Sequence, residues 1–222
     1  MQTSLMLLAQ AQEFDSWIEV FVWPGGGVIG LILWALSIVT LSIIIEHFIS
    51  IRRTNMLPPV MTEEIRSMFE NKQYREAIDM TAAQPDFLSY VVHAALTEAP
   101  HGYASMERAM EEASEERTTK LLRKIEWLNL IGNIGPMLGL LGTVWGMIQA
   151  FFKIVQEGGT PKPDKLAGSI GIALVTTLLG LAVSIPALAV YSMMRNRIDA
   201  LSSEAMLISQ ELISTFRPGG KK

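Results

Sequence analysis

Charged residues are absent from three long apolar stretches of this chain. The stretches cover residues 20–45, 127–152 and 166–194 and contain 26, 26 and 29 residues. A helix needs about 20 apolar residues to cross a bilayer, whereas helices of globular proteins average about 12 residues. The pattern therefore predicts an all-α membrane protein with three transmembrane helices, over residues 25–51, 127–153 and 166–194.

Basic residues flank these stretches unevenly. Residues 1–22 contain no Lys or Arg, whereas Arg52 and Arg53 follow the first stretch, four basic residues at 117–124 precede the second, and Arg195 and Arg197 follow the third. Lys and Arg accumulate on the cytoplasmic side of membrane proteins. We therefore expect a periplasmic N-terminus, a periplasmic loop over residues 154–165 and a cytoplasmic C-terminus.

Residues 1–24 carry apolar side chains at helical spacing, including Phe14, Trp17, Ile18 and Phe21. This spacing predicts an amphipathic helix lying on the periplasmic membrane surface. A signal peptide is the alternative, but its match is poorer, because the apolar core at residues 5–9 is short and no basic residue precedes it.

The polar remainder is predicted to be helical as well. Residues 52–126 form a cytoplasmic helical domain with short helices near 60–71, 74–84 and 87–98, and residues 195–222 form a cytoplasmic helical tail. Apolar positions recur at helical spacing through residues 106–128 and 198–216, so spans 2 and 3 should continue below the membrane as long helices. Their narrow apolar stripes need partners, either each other or neighbouring subunits.

Composition then excludes several functions. The chain has no Cys and only three His, none at metal-ligand spacing, so we expect neither a metal nor another cofactor. Its net charge of −4 argues against nucleic-acid binding. The three charge-free stretches contain no Asp, Glu, Lys, Arg or His, and an intramembrane enzyme or a self-contained ion carrier would need such groups. We therefore expect a protein that is not an enzyme.

Small and hydroxyl-bearing residues take the place of charges in spans 2 and 3. Two explanations stay open: tight helix packing with hydroxyls bonded back to the preceding turn, or a pore lining that hydrates a charge brought by another protein. The candidate packing and bending residues are Gly135, Pro136, Gly139, Gly142, Gly146, Gly180 and Pro186, and the candidate pathway residues are Thr143, Ser169, Thr176, Thr177 and Ser184.

Two motifs carry a family resemblance. Residues 139–148 read GLLGTVWGMI and residues 173–186 read ALVTTLLGLAVSIP, and there the chain resembles the MotA/TolQ/ExbB proton-channel family. Three spans favour its ExbB/TolQ branch over the MotA branch. The resemblance implies a homopentamer in the bacterial inner membrane around the helices of two ExbD- or TolR-like single-span subunits, whose membrane Asp is protonated and released. A TonB- or TolA-like protein is a further possible partner.

The resemblance also implies roles for single residues. Thr143 and Thr177 match the threonines that face the partner's Asp, and Pro136 and Pro186 occupy helix-bending positions. One position departs from the pattern, because Ile172 stands where ExbB and TolQ proteins usually carry a Glu. This leaves open a divergent subfamily, a different coupling ion or a different client.

The function that this resemblance implies is a motor subunit that converts the proton motive force into mechanical work for TonB-type or Tol-type envelope transport. The alternatives are a MotA-like motility stator and a non-conducting scaffold whose helices oligomerise through Gly and Ala faces. The client, and the choice between protons and sodium ions, stay open at this point.

Overall fold

The computed structural model describes residues 27–156, 158 and 163–217. All regular elements in this part of the chain are helices. The predicted surface helix over residues 1–24 lies outside the described residues, as do residues 157 and 159–162 of the loop predicted over 154–165. The two ends of that predicted loop, residues 154–156 and 163–165, are helical instead. The helices are α1 (Gly27–Ser50), α2 (Arg53–Met56), α3 (Pro59–Glu70), α4 (Tyr74–Ala83), α5 (Phe87–Thr97), α6 (Tyr103–Gln156) and α7 (Pro163–Ile213), with 3₁₀ turns at Ala99–His101 and Ser214–Phe216.

Three of these helices, α1, α6 and α7, are long and apolar enough to cross a membrane. This confirms the prediction of an all-α chain with three candidate spans. Helices α6 and α7 contain 54 and 51 residues, or about 80 Å each at about 1.5 Å rise per residue, against about 30 Å for the bilayer core. Both therefore continue well beyond their apolar segments, as the helical spacing predicted.

The chain divides into two compact units, each built from separate parts of the sequence. The membrane unit contains the described residues up to Ile44 together with Leu128–Val190. At its centre Ile131, Val183 and Ala187 are buried, and Leu36 and Ile43 of α1 pack against them. All three candidate spans therefore contribute to one apolar core.

The extramembrane unit contains Ile45–Trp127 and the described residues from Tyr191 onward. Its short helices α3, α4 and α5 lie close to the predicted ones, and Asp86 caps α5 by accepting a hydrogen bond from the Ser89 N–H at 2.8 Å. The apolar stripes of α6 and α7 are buried within this chain, at Met106, Met110 and Ile125 on α6 and at Ile198 and Ala205 on α7, among others. The helix extensions thus find partners without a second subunit.

The end of α7 contacts the short helices of this unit. Arg53 of α2 forms an ion pair with Glu204 at 2.6 Å, and Arg66 of α3 forms one with Glu211 at 3.0 Å. The ring of Phe216 lies edge-on to Phe69, with the ring centroids 5.6 Å apart. Apolar and ionic contacts together hold the tail against the bundle.

Candidate functional site

Helices α6 and α7 meet in the membrane unit along a face made of glycines and small residues. We call this contact the glycine seam. Its members are buried or half-buried residues of both helices: Gly132, Gly135, Gly139, Gly142 and Gly146 on α6, and Ala173, Thr176, Thr177, Gly180 and Ser184 on α7. The predicted packing glycines therefore lie together in one contact within a single chain.

The two backbones in the seam approach too closely for side chains at the glycine positions. A Cβ atom added to Gly139 would lie 2.9 Å from the Cα of Thr177, and one added to Gly180 would lie 2.5 Å from the carbonyl oxygen of Gly135. An added Cβ at Gly142 would overlap the side chain of Thr176. Small residues spaced by about one turn are what such close helix contact requires in a membrane.

Two of the predicted pathway hydroxyls are buried inside this seam. Thr176 donates to the carbonyl of Ala173 at 2.7 Å, and Ser184 donates to the carbonyl of Gly180 at 2.7 Å. The exposed fractions of Thr176 and Ser184 are 1% and 2%. Both hydroxyls thus satisfy their own helix, as in the packing explanation.

Ser169 lies near the beginning of α7 and is also buried. Its hydroxyl accepts a hydrogen bond from the ammonium group of Lys153, with 2.7 Å between Nζ and Oγ. Lys153 is the first charged residue after span 2. The contact therefore joins the ends of spans 2 and 3 by a charge-assisted bond.

Thr177 lies at the edge of the seam and bonds across it. Its hydroxyl donates to the carbonyl oxygen of Gly139 at 3.0 Å, and its side chain is half-buried. In an α-helix that same carbonyl accepts the N–H of the residue four positions later, which here is Thr143. Thr177 is thus positioned beside the turn of α6 that carries Thr143.

Thr143 is half-buried and accessible from one side. Its hydroxyl donates to the carbonyl of Leu140 at 2.7 Å, within its own helix. A hydroxyl has one donor and two acceptor positions, so this oxygen can still accept a hydrogen bond from outside the chain. Ile172 is 43% exposed and lies outside the seam.

Two asparagines extend this polar line along α6, and the sequence reasoning did not include them among the site residues. Asn129 and Thr143 are about four helical turns apart, so they lie near one face of α6. The amide of Asn133 donates to the backbone carbonyl of Asn129 at 2.7 Å and to its side-chain oxygen at 2.9 Å. The spacing of four residues between Asn129 and Asn133 makes them neighbours on the helix surface. That spacing was the sequence signal that could have revealed them.

Both prolines lie inside continuous helices, Pro136 in α6 and Pro186 in α7. Because proline has no N–H group, the carbonyls four residues earlier lose their usual donors. Those carbonyls belong to Gly132, within the seam, and to Ala182. Each is a hydrogen-bond acceptor within a candidate span.

This arrangement can solvate a charge but cannot itself take up a proton. Hydroxyls and amides donate and accept hydrogen bonds, and carbonyls accept them, without titrating near neutral pH. Among the described residues, no cluster of three or more His, Asp or Glu could hold a metal ion.

Residues 83–206 match the family model of the MotA/TolQ/ExbB proton channel family. This match covers more than half of the chain, including α5, both helices of the seam and most of their extensions. The chain belongs to the MotA/TolQ/ExbB proton channel family. Its predicted membership of the ExbB/TolQ branch is confirmed by the names of its relatives.

The relatives of this family member come from distant organisms. The biopolymer transport protein ExbB of Xanthomonas campestris is 32% identical over 52% of the chain and 46% of the relative. An ExbB homolog of Methanothermobacter thermautotrophicus is 29% identical over 84% of the chain and 65% of the relative. The Tol-Pal system protein TolQ of Haemophilus influenzae is 30% identical over 44% of the chain and 42% of the relative. The chain thus spans about half the length of the Xanthomonas campestris and Haemophilus influenzae relatives.

Proposed function

We propose that this chain is the channel subunit of an inner-membrane motor that converts the proton motive force into work on the cell envelope. The observation that carries the proposal is a contrast within the spans. Their charge-free stretches contain no Asp, Glu, Lys, Arg or His, yet Thr143 and Thr177 present hydroxyls at the edge of a tightly packed seam. Such a site supports transfer of a proton only when a second chain supplies the titrating group.

The partner in this proposal is an ExbD- or TolR-like protein with one span and a membrane Asp. Two such helices would lie inside a ring of this chain, which we propose to be a pentamer. The half-buried Thr143 and Thr177 would hydrate the Asp, while Ser169, Thr176 and Ser184 would form the pathway wall behind them. Moving one charge through about 100 mV releases about 2.3 kcal/mol, so a few protons per step suffice to drive a conformational change.

The topology belongs to the same proposal, with the N-terminus periplasmic and the extramembrane unit in the cytoplasm. The basic residues on that side support it, among them Arg52, Arg123 and Arg195. Work on a TonB- or TolA-like protein would then take place on the periplasmic side. The family membership supports a non-enzymatic role in energy transduction.

The scaffold alternative loses its main support in the structure. It relied on Gly and Ala faces that join one subunit to another, and the glycines of the seam are packed within one chain instead. The motility stator is disfavoured by the ExbB and TolQ relatives.

Copurification tests the partnership. The full-length chain, coexpressed with the candidate single-span subunit of its own genome, should purify as a complex with five copies to two by native mass spectrometry. A partner in which the membrane Asp is replaced by Asn should still copurify but should not support energy-dependent growth. A chain that purifies alone from cells containing that partner would contradict the proposal.

A further inference from the structure

The extramembrane unit contains a cavity whose wall is rich in basic side chains. Its volume is about 370 Å³, and its wall includes Ser50 at the end of α1, Asp86 and Phe87 at the start of α5, and Arg117, Lys120 and Lys124 on α6. The last three are spaced by three and four residues, so they lie on one face of α6. None of the candidate pathway residues contributes to it.

The cations of this cavity are only partly neutralised within the chain. Arg117 stacks over the ring of Tyr90, with 4.1 Å from Cζ to the ring centroid, and its Nε atom is buried without a hydrogen-bond partner. Lys120 pairs with Glu116. Lys124 has no ion pair or hydrogen bond among the described residues.

One acidic residue, Asp86, shares the cavity wall. Its carboxylate already accepts the N–H of Ser89 as the cap of α5, so part of its hydrogen-bonding capacity is used. With three cations against Asp86, and Glu116 bonded to Lys120 and Tyr90, the wall keeps a positive excess.

The cavity wall lies close in sequence to the beginning of the second apolar stretch. Lys124 precedes Trp127, the first residue of the second apolar stretch, by three residues, or about 4.5 Å along the helix. The headgroup layer on each side of a bilayer is about 5–7 Å thick. Trp127 is 62% exposed, as is typical of aromatic residues at a membrane surface.

We propose that this cavity binds a phosphate-bearing anion of the kind that anionic phospholipid headgroups carry. The guanidinium of Arg117 suits the tetrahedral oxygens of phosphate, and the ammonium groups of Lys120 and Lys124 add charge beside it. Phe87 gives an apolar wall for the glycerol portion. The cavity holds about ten times the volume of one water molecule, which leaves room for both groups.

Lipid binding to the full-length chain tests this proposal. Native mass spectrometry, with phosphatidylglycerol or phosphatidylcholine added to the detergent-solubilised protein, should show saturable binding that prefers phosphatidylglycerol. Each juxtamembrane cation contributes about fivefold in affinity for an anionic headgroup. The variant Lys124→Gln should therefore lose about fivefold, and Arg117→Gln/Lys124→Gln about 25-fold.

The matched control for Lys124→Gln is Arg108→Gln, which removes an exposed cation of the same helix, 16 residues before Lys124 and outside the cavity wall. It should lose less than about twofold. Binding of glycerol 3-phosphate with the same losses in the variants would support the site and assign it to a soluble phosphate ester. Equal losses in control and cavity variants, or no preference for phosphatidylglycerol over phosphatidylcholine, would overturn the proposal. If the double variant Arg117→Gln/Lys124→Gln does not fold, the single variant Lys124→Gln alone tests the proposal.

Discussion

At the scale of single residues, Thr177 joins helix packing to the proposed pathway. Its hydroxyl supplies a side-chain bond across the seam, to the Gly139 carbonyl. Replacement by Val keeps the shape and removes the donor, which should lower the free energy of unfolding by about 1 kcal/mol. Unfolding of the purified protein in mild detergent measures this change.

Thr177→Ser is the control, because it keeps the donor and should retain most of that stability. A Thr177→Val variant as stable as the parent protein would show that the Gly139 bond contributes nothing to the seam.

Glu116 gives a pH prediction outside the membrane. Hydrogen bonds from Lys120 and from the Tyr90 hydroxyl favour its ionised form and hold the pKa of Glu116 below its ordinary value of 4.5. Its stabilising contribution is therefore complete above about pH 4.5 and is lost as the pH falls through the lowered pKa of the folded state. The difference in melting temperature between the parent and Glu116→Gln should shrink between pH 7 and about pH 3.

Glu112→Gln is the matched control for that series, because Glu112 is an exposed glutamate of the same helix. Its difference from the parent should stay nearly constant over the same range. The assigned role of the Lys120 and Tyr90 bonds would be contradicted if the melting-temperature difference between the parent and Glu116→Gln were as constant as that of Glu112→Gln.

The site residues could be predicted from sequence to different degrees. Thr143 and Thr177 followed from a motif, and the structure places both at the seam edge. The bond from Thr177 to Gly139 could not be predicted, because it depends on the register between two helices distant in sequence. The cavity beside Arg117 could not be predicted either, because it requires α5 and α6 to be placed together.

At the scale of elements, the glycine seam determines how α6 packs against α7. Gly139→Ala would place a Cβ 2.9 Å from the Cα of Thr177, and neither backbone can yield without separating the helices. We expect a loss of about 1–3 kcal/mol in stability, read as a lower melting temperature in detergent.

Gly171→Ala provides the comparison within α7. A Cβ at Gly171 meets nothing within 4 Å, so this variant should be neutral or slightly more stable, because Ala favours the helix. Equal melting temperatures for Gly139→Ala and Gly171→Ala would contradict the close contact at Gly139.

Element positions followed from sequence more readily than helix pairing did. The charge-free stretches predicted the spans, and the helical spacing through residues 106–128 and 198–216 predicted that α6 and α7 extend beyond them. The small-residue spacing did not reveal whether its partner was α7 of the same chain or a helix of another subunit, because both contacts use the same residues. Only the three-dimensional arrangement distinguishes them.

At the scale of the whole molecule, the position of Ile172 tests how the chain would sit in a complex. The residue is 43% exposed in the single chain and clear of the seam. If it faces the proposed pore, Ile172→Glu should fold, assemble and copurify with the partner at the parent's ratio. Failure to assemble would place Ile172 against lipid or in a packed contact between subunits, since a buried acid there costs several kcal/mol.

The central claim is that this chain solvates a titrating group carried by another chain. Proton flux into vesicles that contain the complex with its single-span partner, driven by an imposed membrane potential, measures this directly. The account predicts flux for the parent and for Thr143→Ser, little flux for Thr143→Val at unchanged complex yield, and none for the chain without its partner. Parental flux through Thr143→Val, or flux through the chain alone, would contradict it.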